Sequence, residues 1–368
     1  MKRILITVIA AITFFACNKS TDYTITGTAA IAEMEGSQVF LYKRVDGEQA
    51  RVDSAIITNG TYTFSGSIDD PVKVMLLIGE GVEGQYAFLV DMILEKGKIN
   101  IITNKERFSK VSGTKNNDLF QSFKDAQNGF YQEVGKIWTA RDEAQETGND
   151  ELAQSLRDEI NNANEKYIAF VIEFLKNNIN NPAGRSLLGE TLGMPTEKMR
   201  EAISKATPAT LKTAELERFL ALLQALEKTD IGQPFVDFRM QDLDGNEIAL
   251  SDFAGKDKYV MIDFTATWCG PCIHGKPAMI ATYEKFKDKG FEIISVWLDN
   301  DKEIWIDKAK ALSWFHMSDL KGWNCEAAKL YGVKAIPQSV LIDKDGIIIA
   351  KNLQGYDLDK KLTELMKP

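Results

Sequence analysis

Trp268-Cys269-Gly270-Pro271-Cys272 closely follows an apolar run, Tyr259-Val260-Met261-Ile262-Asp263-Phe264, that reads as a buried strand. Two thiols three positions apart, just past a strand end, can close a disulfide on the first turn of a helix. The free amide N–H groups and partial positive charge at a helix N-terminus favour a thiolate there. Cys269 is therefore expected to be the nucleophile near neutral pH, and Cys272, one turn deeper, the resolving thiol. A structural zinc site needs four ligands, usually from a second pair. Only Cys17, Cys325, His274 and His316 remain, none at pair spacing, so no metal is expected and no cofactor beyond the two thiols.

A chain of 368 residues exceeds one compact core, and two or three domains are expected. The net charge is -9, and Lys and Arg do not cluster with aromatics, which argues against nucleic-acid binding. At the N-terminus, Lys2 and Arg3 precede an apolar stretch from Ile4 to Phe15, and small Ala16 precedes Cys17. This is the layout of a secretory signal, too short to span a bilayer stably. A cysteine at the cleavage point, followed by Asn18-Lys19-Ser20, resembles a bacterial lipoprotein signal over residues 1–17, in which Cys17 is lipidated. Phe14 stands where such signals usually have Leu, and a plain signal peptide is the alternative. Both readings take the protein out of the cytoplasm. Without Cys17, three thiols remain, so cysteines are not acting as staples in an exported chain of this size.

Three regions follow. Over 22–115, short strand-like runs (Tyr23–Gly27, Gln38–Tyr42, Thr61–Gly66, Ile99–Ile102) are separated by turn signals such as Asp46-Gly47 and Asn59-Gly60. Tyr62 and Phe64 alternate with threonines, as in a strand burying one face, and a sandwich or small barrel is expected. Over 116–228 the period becomes helical. Leu119, Phe123, Ala126, Phe130, Val134 and Ile137 mark one helix; Leu152, Leu156, Ile160, Ala163, Tyr167, Val171 and Phe174 mark its partner across a Gly148-Asn149 turn. These stripes are packing faces. Over 229–368, strands at Tyr259–Phe264, Phe291–Leu298 and Gln338–Ile342 alternate with helices, and Asp244-Gly245 and Asp345-Gly346 mark hairpins. That order predicts an α/β fold with helices on both faces of a mixed sheet.

The last 140 or so residues resemble a thioredoxin fold of the TlpA/ResA type, found in bacterial envelope thiol-disulfide oxidoreductases. The resemblance rests on Trp268 to Cys272, Pro277 in the following helix, Ile336-Pro337 before a strand, and Gly355 before the last helix. The first 115 or so residues more loosely resemble a domain of unknown function that precedes thioredoxin-like domains in envelope lipoproteins. The thioredoxin resemblance implies that Pro337 is a cis-proline and that an extended substrate pairs with Ile336. Trp268, Gly270, Pro271, Ile336, Pro337 and Gly355 would then form an apolar docking rim. Pro277 would kink the active-site helix. Asp263 lies six residues before Cys269 in an otherwise apolar strand, where a carboxylate without partners would be costly. The resemblance implies that it takes and returns the proton of Cys272 through a water; the alternative is a solvated, frayed strand end. Many relatives carry a Glu three residues after the second cysteine, where this chain has Gly275. His274 is expected to face solvent, His316 to be structural, and Cys325 to be a free thiol near the rim.

The expected protein is thus a multidomain, lipid-anchored thiol-disulfide oxidoreductase facing the periplasm. It would reduce disulfide-containing envelope proteins and be recharged by a membrane electron donor that the family resemblance implies. A thiol peroxidase is one alternative, against which Ala266 stands where such enzymes carry Thr or Ser. A non-enzymatic envelope adaptor is the other.

Overall fold

The computed structural model describes residues 21–29, 34–45, 48–80, 88–104 and 109–367, so Cys17 and the Asp46-Gly47 turn lie outside the described residues. The chain divides into two compact units: Met1–Met194 with Glu201–Thr210, and Pro195–Arg200 with Leu211–Pro368.

In the first unit, β1 (Tyr23–Ala29), β2 (Gln38–Val45), β3 (Glu48–Ile56), β4 (Thr61–Gly66), β5 (Val72–Glu80), β6 (Phe88–Leu94), β7 (Gly97–Thr103) and β8 (Ser109–Ser112) form two four-stranded sheets. Their orders are β4-β1-β7-β8 and β3-β2-β5-β6. Inward residues of both sheets, among them Ile25, Phe64 and Ile99 from one and Leu41, Leu76 and Met92 from the other, share a single core. The alternation expected around Tyr62 and Phe64 is present, both side chains being buried between exposed threonines. The hairpin turn between Thr58 and Thr61 places Asn59 (φ 52°) and Gly60 (φ 68°) in the left-handed region, as an Asn-Gly turn requires.

The long helices α1 (Lys115–Glu146) and α2 (Asp150–Asn178) are antiparallel partners. Gly148 (φ 70°) reverses the chain between them, and Asn149 caps α2 by accepting the Leu152 N–H. Phe120 and Phe123 of α1 and Val171 and Leu175 of α2 pack with Ile93 of β6. Short helices follow: α3 (Pro182–Ser186), α4 (Thr196–Ala202) and α5 (Pro208–Leu211), then α6 (Ala214–Lys228). The stretch 116–228 is thus divided: α1 and α2 fall in the first unit and α6 in the second. Pairing explains this, since α1 packs on β6, whereas Leu222 and Leu226 of α6 close on Gly332.

The second unit continues with the hairpin β9 (Arg239–Gln241) and β10 (Glu247–Ala249), then β11 (Tyr259–Thr265), α7 (Gly270–Phe286), β12 (Phe291–Trp297), α8 (Lys302–Ala309), β13 (Phe315–Met317), α9 (Glu326–Leu330), β14 (Gln338–Ile342), β15 (Ile348–Lys351) and α10 (Gly355–Leu365). The five-stranded sheet has the order β13-β12-β11-β14-β15. Strands β11, β12 and β13 run parallel, and β14 and β15 antiparallel to their neighbours. One core cluster contains Ile262, Phe264 and Val340, another Met261, Tyr283 and Leu358. Successive residues of β11 therefore feed different layers, as covering both faces of a sheet requires. Among the described residues no helix is long and apolar enough to cross a membrane.

Candidate active site

Strand β11 is the middle of its sheet, and its C-terminal end delivers the chain into the loop that starts α7. Cys269 is the N-cap of that helix: its sulfur accepts the backbone N–H of Cys272 at 3.2 Å. Pro271 occupies the first turn, where a missing N–H leaves no helical bond unmade. Cys269 and Cys272 are joined in a disulfide with Cα atoms 5.2 Å apart, and both are buried. A thiolate at Cys269 meets an N–H donor and the positive end of a helix dipole, the setting that favours ionised sulfur.

Asp263 is 2% exposed and lies within β11, paired through the backbone with Ser295 on β12 and Ser339 on β14. The frayed-end alternative is excluded. Nor is its carboxylate without partners. Lys276 Nζ lies 2.7 Å from Oδ2, and the Ser295 hydroxyl donates to the same oxygen at 2.9 Å. Ser295 Oγ in turn accepts the Trp314 indole N–H at 2.9 Å. The Lys276 ammonium sits 5.4 Å from the Trp297 ring centroid and 5.7 Å from that of Trp314, so aromatic faces replace much of its lost hydration. Lys276 was legible in principle: four residues after Cys272 on one helix, it shares that residue's face one turn on.

His316 is buried beside this group. Its Nδ1 accepts the Trp297 indole N–H at 3.2 Å, and burial pushes its pKa down to about 4. His274 is exposed on α7, as helical spacing predicts.

The loop before Cys269 is held from β12. Asp299, buried just past that strand, accepts the Thr267 N–H on both oxygens at 3.2 Å and the Thr267 hydroxyl on Oδ1. Burial raises the Asp299 pKa, although the Thr267 bonds oppose that rise.

Of the expected rim, Trp268, Gly270 and Pro271 are exposed. Ile336 is half-buried against the core cluster that holds both cysteines, and the Ile336–Pro337 bond is cis. Gly355 (φ 48°) opens α10 and faces Ala278 of α7, with room for a Cβ 3.8 Å away. Pro277 is accommodated within α7. Cys325 is not at the rim: it is fully buried in the cysteine-bearing core, and burial pushes its thiol pKa up to about 11. Trp323 escaped the sequence reading. Half-exposed, its ring lies 5.9 Å from that of Trp268.

A Cys-Gly-Pro-Cys disulfide on a helix N-terminus, fed by the central strand of a mixed sheet, with the residue before a cis-proline packed on the same core, defines a thioredoxin-fold redox site. Sequence comparisons with known proteins agree. Residues 231–351 match the AhpC/TSA family, and residues 23–120 match the domain of unknown function DUF4369. The thiol-disulfide oxidoreductase ResA of Bacillus thuringiensis subsp. konkukian is 38% identical over 146 residues, spanning 38% of this chain and 79% of that protein. ResA of Halalkalibacterium halodurans is 32% identical over 142 residues, spanning 37% of this chain and 77% of its own length. A solved thiol-disulfide oxidoreductase from Bacteroides fragilis is 29% identical, covering 36% of this chain and 99% of that one, with a TM-score of 0.34. The chain belongs to the ResA family of thiol-disulfide oxidoreductases, its C-terminal part carrying the likeness.

Proposed function

We propose that the protein reduces disulfides in proteins of the bacterial cell envelope, through residues 229–368, while held to a membrane by a lipid on Cys17. The Cys269 thiolate attacks one sulfur of a substrate disulfide; that S–S bond breaks, and the departing substrate sulfur takes a proton. Cys272 then gives its proton to Asp263 through a water and attacks the Cys269 sulfur; the mixed S–S bond breaks, and the second substrate sulfur leaves as a thiolate that takes a proton from water. Two electrons pass to the substrate, and the enzyme is left with the Cys269–Cys272 disulfide. A membrane dithiol donor would return the electrons. Trp268, Gly270, Pro271, Ile336, Pro337 and Gly355 are assigned to the docking rim, and 22–115 with 116–228 to placing the site or choosing its partners.

The observation that carries this reading is the Cys269 sulfur capping α7 and accepting the Cys272 N–H. The buried carboxylate of Asp263 six residues upstream supports the proton step. Peroxidase chemistry is disfavoured by Ala266, a buried methyl where a hydroxyl is needed. The test is insulin-disulfide reduction by wild type and Cys269→Ser, with dithiothreitol as donor. Activity that disappears in the variant supports the reading; none in either protein favours an adaptor. A reduction potential well above that of the surrounding thiol pool would reverse the direction of transfer.

A further inference from the structure

Two adjacent residues after β12 lie against the residues that precede two exposed tryptophans. Asp299 fixes Thr267, the residue before Trp268, through the bonds described above. Asn300 abuts Gly322, the residue before Trp323: a Cβ on Gly322 would stand 2.6 Å from Asn300 Oδ1, and its φ of 53° is one that side-chain-bearing residues rarely adopt. The segment bearing Trp323 is further tied down. The Ser318 hydroxyl donates to the Trp297 carbonyl and accepts the Leu320 N–H, and the two oxygens of Asp319 accept the N–H groups of Lys321 and Glu326. Yet on this stitched loop the Trp323 side chain is 49% exposed, and Trp268 is 53% exposed. Large rigid aromatics left in water on a braced backbone are what a recognition surface uses, because little ordering entropy remains to be lost on contact.

We propose that Trp323 is a specificity-determining residue. With Trp268 it forms an aromatic ledge that receives an apolar side chain of the substrate polypeptide, two residues from the reacting cysteine. This rests on the reading above that Cys269 attacks the substrate disulfide. In an extended substrate, alternate side chains face the same way, so when one cysteine points at Cys269 the residues two away also face the enzyme, about 7 Å along the chain. Trp268, adjacent to Cys269, supplies the near ring of the ledge and Trp323 the far one.

The test uses two homodimeric disulfide peptides that differ only in carrying Phe or Gly two residues from the cysteine. Wild type should prefer the Phe peptide by about tenfold in kcat/KM, mainly through KM. Trp323→Ala should bring that ratio close to unity, and Trp323→Phe should retain most of it. An unchanged ratio in Trp323→Ala overturns the proposal, including the case in which both peptides slow alike and the side chain merely supports the fold. So does a wild type with no preference. A wild type that reduces neither peptide removes the dithiol reading itself, and the ledge with it.

Discussion

The Lys276 ammonium and the Asp263 carboxylate meet at 2.7 Å with both side chains largely withdrawn from water. One comes from the helix that carries Cys272 and the other from the central strand, so the pair ties the first turns of α7 to the sheet. Removing one partner of a buried ion pair typically costs about 3–5 kcal/mol, because the other charge is left without compensation. Lys276→Met is therefore expected to lower unfolding stability by about 3 kcal/mol in the oxidised protein. Lys276→Met with Asp263→Asn should cost less than the two single changes added together. Urea unfolding of the four proteins checks this, and strict additivity would show that the two groups do not interact.

The same carboxylate gives a kinetic expectation. If Asp263 takes the Cys272 proton, Asp263→Asn should prolong the mixed disulfide on the order of 100-fold at neutral pH, since general-base assistance is typically worth that much. The deficit should shrink as pH rises, because hydroxide then removes the proton unaided. Acid quenching followed by mass spectrometry measures the lifetime of the intermediate. A pH profile identical to wild type takes Asp263 out of the mechanism.

How far this could be read from the chain depends on whether the information is local. The strand ending at Thr265 and the thiol pair after it were legible because apolar run, turn and motif are contiguous. The α1–α2 hairpin was legible because two helical stripes flank one Gly-Asn turn. Strand β3 was not: Gln49 to Ser54 are exposed, and this edge strand has β2 as its one neighbour in the sheet, which leaves no alternating pattern. In the site, the charge of Asp263 in an apolar strand was conspicuous, but its partner Lys276 looked like one more helical lysine. Only packing of α7 on the sheet places that ammonium between two indoles. Trp323 is 55 residues from Trp268 in sequence, and their proximity is purely tertiary.

His316 should make stability depend on acid. Its pKa is about 4 in the folded protein, against an ordinary value of 6.5, chiefly because burial disfavours the charged ring. Between these values the unfolded chain binds more protons than the folded one, so stability falls as pH drops from 6.5 to 4 and is unaffected by this group above 6.5. A shift of this size corresponds to about 3 kcal/mol over the window. His316→Asn offers an amide oxygen to the Trp297 indole without a titrating ring. The variant should lose that part of the slope when urea unfolding is followed across the same pH range. An equally steep slope in the variant would assign the acid sensitivity to other groups.

Cys325 shares a core cluster with Cys269 and Cys272, yet chemistry should separate the three. It has no exposed surface, and burial, reinforced by the carboxylate of Asp319, pushes its pKa up to about 11. At pH 8 its thiolate fraction is on the order of a thousandth, and reagent must also reach it. Cys269, by contrast, has a helix N-terminus and the Cys272 N–H to stabilise its charge. Brief iodoacetamide treatment of the reduced, folded protein should therefore modify Cys269 first and leave Cys325 untouched until urea opens the core. Peptide mapping reads the order directly. Labelling of Cys325 at a rate comparable with Cys269 in the folded state would mean that the core admits reagent, and the thiol could then enter exchange with the active pair. Protection of Cys325 keeps that thiol out of the exchange between Cys269, Cys272 and substrate, so that the buried thiol cannot divert the disulfide from the active pair.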